Sequence, residues 1–576
     1  MIIGGMTQYL AKVQGMPESV IRTLERLTRN FAWSGQGNPT VAMAHMSCDM
    51  DRGGKKVLDI TARNETIQLT WVQAYLKMGE ERPTWAYLAD EIFANDVPGE
   101  LKQLEGNPHA RVNQFLQTWQ SRKNRKRGLD PSDEDAQGIP RDLREMIKVA
   151  RKYGVRLEAI NPTKEVREEL PAIRSSQTKE DKKPETLCDK FGKCIRDKHK
   201  IRSLKDVAAL ANDTPRQHKR NRKCKCEKCS QIRRDTGGGC HHPNKCIERA
   251  AAILSSVKEK WNPTVAHPPE YLTSPSPRET GPRFNPNTNQ TVHTLNPFRP
   301  EKSLKDCFRV FTDGKPTPSP LSARAPRSEN FDNHPIVVYT DGSCLNNGET
   351  TATAGCGIWF GDDDERNTSL KVPGPDQSNQ VGELVAILHA LRTVPTDRAL
   401  TIKTDSMYAI LGLTKNLENW EDKGWLNSKH AEIFKCLTAW MRFRSNTTRI
   451  TWVKGHSGVK GNEEADKLAA EGAGSAPTSN ALDLTAPKNL VPSGAKLSAL
   501  SQKDLYRAIL RLRHPPPRRG SEVNIGRVQA CATEEYGTDP TPETIWKSTR
   551  HKDLTKKTRE FLCISERPDY LFDQKK

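Results

Sequence analysis

No stretch of this 576-residue chain approaches the roughly 18–20 consecutive apolar residues that a membrane-spanning helix needs, so none is expected. The opening Met1-Ile2-Ile3-Gly4-Gly5-Met6 lacks a basic segment followed by a long apolar core, so no secretory leader is read there. Cysteines do not form an evenly spaced secreted framework: five of the fourteen fall within 224–246 and the rest are scattered. A reducing intracellular compartment is the expected setting, with nucleus and cytoplasm unresolved. Apolar residues make up only 35% and aromatics 6%, with a mean hydropathy of -0.75. So little apolar matter implies that much of the chain is linker or marginally folded segment. Acidic residues are outnumbered 71 to 91, giving a net charge of +20 and a pI near 9.3. That balance favours an acidic polymer as partner, nucleic acid first. No internal repeat is visible.

A chain of this length exceeds one core, and about 100–200 residues per domain predicts three or so units. Residues 1–95 read as helical, with Ile67, Trp71, Ala74 and Tyr75 on one helical face just beyond the Gly53-Gly54 break. Residues 96–223 read as a charged, basic helical and linker region, with dense basic runs at 122–127 and 216–223. Within it, Pro140 suits a first helical turn, Leu143, Ile147 and Ala150 recur at helical spacing, and Gly154 suits a C-terminal cap. A Cys/His cluster with a following helix occupies 224–261. Residues 262–333, rich in Pro, Asn, Ser and Thr, read as an extended linker. Regular alternation resumes for 334–475, fades into a linker at 476–496, and leaves a small helical tail at 497–576.

The 334–475 segment carries the chemistry. Ile336-Val337-Val338-Tyr339-Thr340 is β-rich and should deliver Asp341 to a strand end. Strands are expected near 354–360 and 369–372. Glu383 opens a helix whose Leu384, Ile387, Leu388 and Leu391 fall at i, i+3, i+4 and i+7. A fourth strand at 400–404 ends in Asp405, and a fifth at 449–453 leads into Lys454-Gly455-His456-Ser457-Gly458. Asp466 lies on a last helix. Acids delivered to one sheet edge in this way suit phosphodiester hydrolysis, where two hard cations about 3.5–4 Å apart activate a water and steady the leaving oxygen. Magnesium takes oxygen ligands of this kind.

The set Thr340-Asp341-Gly342-Ser343, Gly382-Glu383-Leu384, Thr404-Asp405-Ser406 and Trp452-Val453-Lys454-Gly455-His456, followed by Asn462-Glu463 and Asp466, resembles a type 1 ribonuclease H over about 140 residues. The resemblance implies an α/β fold with a mixed five-stranded sheet flanked by helices. It implies hydrolysis of the RNA strand of an RNA–DNA hybrid, with Mg2+ or Mn2+ held by Asp341, Glu383, Asp405 and Asp466. His456 would assist proton transfer or product release. Asn347, Asn379 and Gln380 match positions that read RNA 2′-hydroxyls, and Trp420 and Trp425, with Lys423 between them, match the part that grips the DNA strand. Met407 stands where many relatives carry a polar residue.

Cys224, Cys226, Cys229, Cys240, His241, His242 and Cys246 offer more ligands than the four that structural zinc takes. Cys226, Cys229, Cys240 and Cys246 (or a histidine in place of the last) are the expected set, with Cys224 spare; unbound cysteines are the alternative.

The flanks resemble fungal non-LTR retrotransposon polyproteins. The matching pieces are Val13-Gln14-Gly15-Met16-Pro17, Phe31-Ala32-Trp33 and Pro83-Thr84-Trp85 at the front, and Ile545-Trp546-Lys547-Ser548 at the tail. No Tyr-x-Asp-Asp polymerase signature is present, so the chain reads as a fragment of such a polyprotein. The competing functional class is a non-catalytic nucleic-acid-binding or packaging protein using the basic and Cys/His regions. Nucleic acid, and an RNA–DNA hybrid above all, is the expected partner, without a membrane; oligomeric state is left open.

Overall fold

The computed structural model describes most of the chain; the longer stretches outside the described residues are 33–41, 97–112, 118–138, 267–282, 327–333 and 556–576. The basic run at 122–127 therefore lies outside them. The described residues form two units, one of 72–347 and 352–499, the other of 1–71, 348–351 and 500–576.

In the larger unit the β-rich run becomes β1 (Ile336–Leu345), an interior strand of the sheet. It pairs antiparallel with β2 (Thr353–Trp359), which pairs antiparallel with β3 (Thr368–Lys371). On its other side β1 runs parallel to β4 (Leu400–Thr404), which runs parallel to β5 (Thr448–Trp452). The order is thus β3-β2-β1-β4-β5, the mixed five-stranded sheet that was expected. Parallel neighbours need crossovers. These are α1 (Asn379–Thr393) between β3 and β4, and the run α2 (Met407–Leu413), α3 (Leu417–Asp422) and α4 (Ala431–Phe443) between β4 and β5. The last helix of the domain is α5 (Lys460–Gly474). Leu384, Ile387, Leu388 and Leu391 of α1 are buried as their spacing predicts, against Val338, Ile402, Ile450, Phe434 and Leu437. The helix begins four residues before Glu383 because the Ser378 side chain accepts the Val381 backbone N–H and caps it there.

The sheet is also wider than expected. Strands 290–295 and 283–285 add an antiparallel hairpin beside β5. These residues fall in the segment read as linker; their Thr291, Val292 and Thr294 are β-branched, a strand signal outweighed by the surrounding Pro and Asn. Further along the same segment, Phe308–Val310 is the middle strand of a small sheet with Arg156–Leu157 and Ala495–Lys496. Arg309 is buried there and donates to the carbonyls of Glu421, Ser493 and Gly494 at 2.9, 3.0 and 2.7 Å. Upstream, the helix Arg141–Lys152 ends at Gly154 in the left-handed conformation, as its sequence predicts.

In the smaller unit Gly53, at φ +75, closes the turn Met50–Arg52, and the indole of Trp546 lies where a Cβ at Gly53 would sit. Arg550 adds hydrogen bonds to the carbonyls of Met50 and Gly54 at 2.7 and 2.6 Å. The Gly53-Gly54 break is thus the seat of the helix Pro542–Ser548. Among the described residues no helix is long and apolar enough to cross a membrane.

Candidate active site

Asp341 sits inside β1, four residues before its end, opposite Gly357 of β2. Its carboxylate accepts the Gly342 backbone N–H at 2.7 Å and is only 7% exposed. Glu383 comes from the second turn of α1. What brings them side by side is a backbone contact: a Cβ on Gly342 would overlap the Glu383 nitrogen, and one on Gly382 would fall 3.0 Å from the Gly342 Cα. Glycine at both positions lets α1 touch β1, which is the physical content of the Asp-Gly and Gly-Glu pairs.

Asp405 follows the last residue of β4, which buries Thr404 and leaves the acid at the sheet edge. Trp452 donates its indole N–H to the Asp405 carbonyl at 3.3 Å, and Gly455 lies so close to the Asp405 carboxylate that a methyl there would strike Oδ2. Asp466 projects from the second turn of α5. That helix lies directly on β2, where Gly355 and Gly357 leave room for the backbone of Ala465, Ala469 and Gly472.

The electrostatics tie the four together. Burial, then the negative charges of Asp405, Asp466 and Glu383, push the Asp341 carboxyl up to about 8, with the Gly342 N–H opposing. Burial also raises Glu383, a hydrogen bond from Ser406 lowers it, and Asp405 raises it further. Yet no three of these carboxylates converge within 4.8 Å; among the described residues only Cys/His groups do. Like charges held near one another in a partly dry site call for a counter-charge. The donors are all oxygens, so hard divalent cations fit and soft ones do not.

Sequence reasoning gave Ser406 no role. Its hydroxyl accepts the Ala409 N–H at 3.1 Å, capping α2, and donates to the Glu383 carboxylate. The signal was there in a serine standing before a helix. His456 is exposed, at φ 48, in the loop between β5 and α5. Asn347 lies exposed in the turn after β1, and Asn379 and Gln380 occupy the first turn of α1, with Gln380 accepting from Lys429 at 3.3 Å. A Cβ on Gly342 would approach the Asn379 carbonyl at 2.7 Å, so this turn borders the acids.

The tryptophans differ from expectation. Trp425 is 5% exposed and belongs to the core, and Trp420 packs edge-on against Phe434 with ring centroids 5.0 Å apart. Trp425 therefore offers no face for a nucleic-acid strand. The adjoining Glu421 is buried in a two-pronged pair with Arg442, at 2.6 and 2.8 Å, beneath Arg309. The four cysteines expected as one zinc set do not meet either: Cys226 and Cys229 join His218 and Cys224, while Cys240 and Cys246 join Cys194 and His199. Spacing along the chain could not show ligands arriving from 194, 199 and 218.

Residues 333–474 match the family model described as RNase H. A ribonuclease H from Ruthia magnifica subsp. Calyptogena magnifica is 37% identical over 141 residues, 23% of this chain and 92% of that protein. The chain belongs to the ribonuclease H family. Other relatives of this ribonuclease H segment include the ribonuclease H of Schizosaccharomyces pombe, 42% identical over 142 residues, and human ribonuclease H1, 39% identical over 144. Each match covers 24% of this chain, which spans about half the length of these two relatives, 52% and 50%. A crystal structure of a type 1 RNase H with the type 2 active-site motif matches at 26% identity, covering 25% of this chain and 74% of that one, with a TM-score of 0.21. Members of the ribonuclease H family generally use divalent metal ions, in keeping with the oxygen donors described here.

Proposed function

We propose that the domain hydrolyses the RNA strand of RNA–DNA hybrids endonucleolytically, with divalent ions, magnesium or manganese, held by Asp341, Glu383, Asp405 and Asp466. The observation that carries this reading is the placement of a 7%-exposed Asp341 under the fields of three other acids. A protein has little reason to keep such a group unless something cationic shares the site. Two bound cations would supply activation of a water and neutralisation of charge at the leaving oxygen.

The chain's own residues do the rest. Gly342 and Gly382 fix the separation of Asp341 and Glu383. Ser406 orients Glu383, and Gly455 confines Asp405. His456, on an exposed loop, is assigned proton transfer or product release. Asn379 and Gln380, in the first turn of α1 that borders Gly342, and Asn347, exposed in the turn after β1, are the amides assigned to read 2′-hydroxyls, the groups that separate RNA from DNA. With Trp425 in the core, grip on the DNA strand falls to basic residues elsewhere on the chain. The flanking likeness to retrotransposon polyproteins supports a role in removing template RNA during replication of such an element.

The test is cleavage of a labelled RNA–DNA hybrid by the full chain with magnesium, beside an Asp405→Asn variant. Cleavage by the parent and none by the variant supports the reading. Equal cleavage by both, or binding without cleavage by either, overturns it, the second result pointing to a non-catalytic nucleic-acid-binding protein.

A further inference from the structure

The Cys/His region lies outside the nuclease chemistry, and the fold sorts its ligands into two groups. Cys194, in the second turn of the helix Lys190–Asp197, and His199 just beyond that helix face Cys240 and Cys246, the latter in the first turn of the helix Pro243–Ser256. His218 and Cys224 face Cys226 and Cys229 around the start of the helix Glu227–Asp235. Within each group every donor atom lies within 4.8 Å of every other.

The distances are those of a tetrahedron around an ion. Zinc bonds of about 2.3 Å to sulfur and about 2.05 Å to nitrogen, at tetrahedral angles, put N and S about 3.6 Å apart and two sulfurs about 3.8 Å apart. His218 Nδ1 stands 3.4, 3.6 and 3.5 Å from the sulfurs of Cys226, Cys224 and Cys229. Cys240 and Cys246 sulfurs are 3.7 Å apart, far longer than the roughly 2.05 Å of a disulfide. Cysteines packed only as small apolar residues have no cause to gather three sulfurs evenly around one imidazole nitrogen.

The surroundings support thiolates. The Lys219 backbone N–H donates to Cys224 Sγ at 3.2 Å and the Cys229 N–H to Cys226 Sγ at 3.5 Å. Arg233 holds the loop by donating to the carbonyls of Cys224 and Arg222 at 2.9 and 3.0 Å. Such outer contacts orient ligands and are part of a metal site's construction. In the other group Cys240 and Cys246 are buried, and the His199 ring buries an Nε2 that has no hydrogen-bond partner.

We propose that this chain binds two structural zinc ions, each through three cysteines and one histidine: one at Cys194, His199, Cys240 and Cys246, the other at His218, Cys224, Cys226 and Cys229. Each set fills four positions, so both centres are closed and structural. In chain order the second set lies wholly between the two halves of the first. The first centre closes the long loop from 199 to 240, and the second pins the segment inside it. Losing the second leaves the first's ligands in place. The helices are short, and Ile195, Leu204, Ile247, Leu254 and Trp261 are buried among them. Metal binding would add to the folding free energy that this apolar core supplies.

The full chain, purified with zinc and reductant and exchanged into magnesium buffer, is treated with a thiol-specific mercurial, and the zinc released is measured with a chromophoric chelator. Two equivalents per chain are expected, with about one each from Cys229→Ser and Cys246→Ser. One equivalent from the parent, abolished in either variant, would mean a single shared centre; none would mean unbound thiols; either overturns the proposal. Should a variant not fold, cobalt(II) titration of the parent decides. Sulfur-to-cobalt charge-transfer absorbance, which carboxylates cannot give, should rise to a break at two equivalents, and a break at one contradicts two centres.

Discussion

The Ser406 hydroxyl bridges two helices: it caps α2 by accepting the Ala409 N–H and donates its own hydrogen to Glu383 of α1. One side chain thereby couples the start of the helix after Asp405 to the orientation of a neighbouring acid.

Ser406→Ala should lower hybrid cleavage roughly 10–100-fold, the usual effect of losing a partner behind a metal-ligating group. Lost capping should add about 1 kcal/mol of destabilisation. Ser406→Thr, which keeps the hydroxyl, should retain most activity. Cleavage rates against magnesium concentration, with denaturant midpoints, check this. Equal activity in the alanine variant would remove Ser406 from the site.

Gly455→Ala should damage activity more than stability. The new methyl strikes the Asp405 carboxylate rather than the core, so the acid must move. Overpacking of this kind costs about 1–3 kcal/mol when absorbed by structure. A variant with a nearly unchanged thermal midpoint and strongly reduced cleavage is expected; unchanged cleavage contradicts the placement of Asp405.

Asp341 makes the metal-free domain sensitive to pH. Its carboxyl is pushed up to about 8 from an ordinary value of 3.8, so between those values the folded state binds more protons than the unfolded one. Stability must then fall as pH rises through that window. Urea midpoints in chelator should decline from about pH 5 to about pH 8. Asp341→Asn should flatten the decline, and magnesium should restore the midpoint at the upper end. A metal-free profile that rises over the same range would contradict the crowding of the acids.

Trp425→Ala should behave as a core truncation, costing about 3–5 kcal/mol. Asn379→Ala, on the exposed first turn of α1, should leave stability within about 0.5 kcal/mol while raising KM for the hybrid. Denaturant unfolding and steady-state cleavage separate the two. Weakened hybrid binding by a stable Trp425 variant would restore it to the nucleic-acid face.

The fold of 334–475 was largely legible because its strands are β-rich runs and α1 shows an unbroken apolar period. The acids were legible as an ordered set, expected at element ends. Asp405 does follow the last residue of β4, but Asp341 lies four residues before the end of β1, and Glu383 and Asp466 lie in second helical turns. Pairing with β2 carries β1 past Asp341, and both helices start earlier than their acids suggest. The start of α1 was misplaced by four residues because apolar period begins at Leu384, whereas the capping signal lies at Ser378. The Cys/His groups were paired differently in the sequence because Cys194, His199 and His218 arrive through tertiary packing. Trp425 could not be sorted between a gripping surface and a core from family likeness alone; Glu421, Arg442 and Arg309 close over that region only in three dimensions.

Cleavage by the full chain of an RNA–DNA hybrid labelled on each strand, beside RNA–RNA and DNA–DNA duplexes, with magnesium and then with chelator, tests the central claim most directly. The four acids and their neighbouring amides predict cuts in the RNA strand of the hybrid alone, abolished by chelator and by Asp341→Asn. Cuts that persist in chelator or in the variant, or that fall equally on DNA, would contradict it.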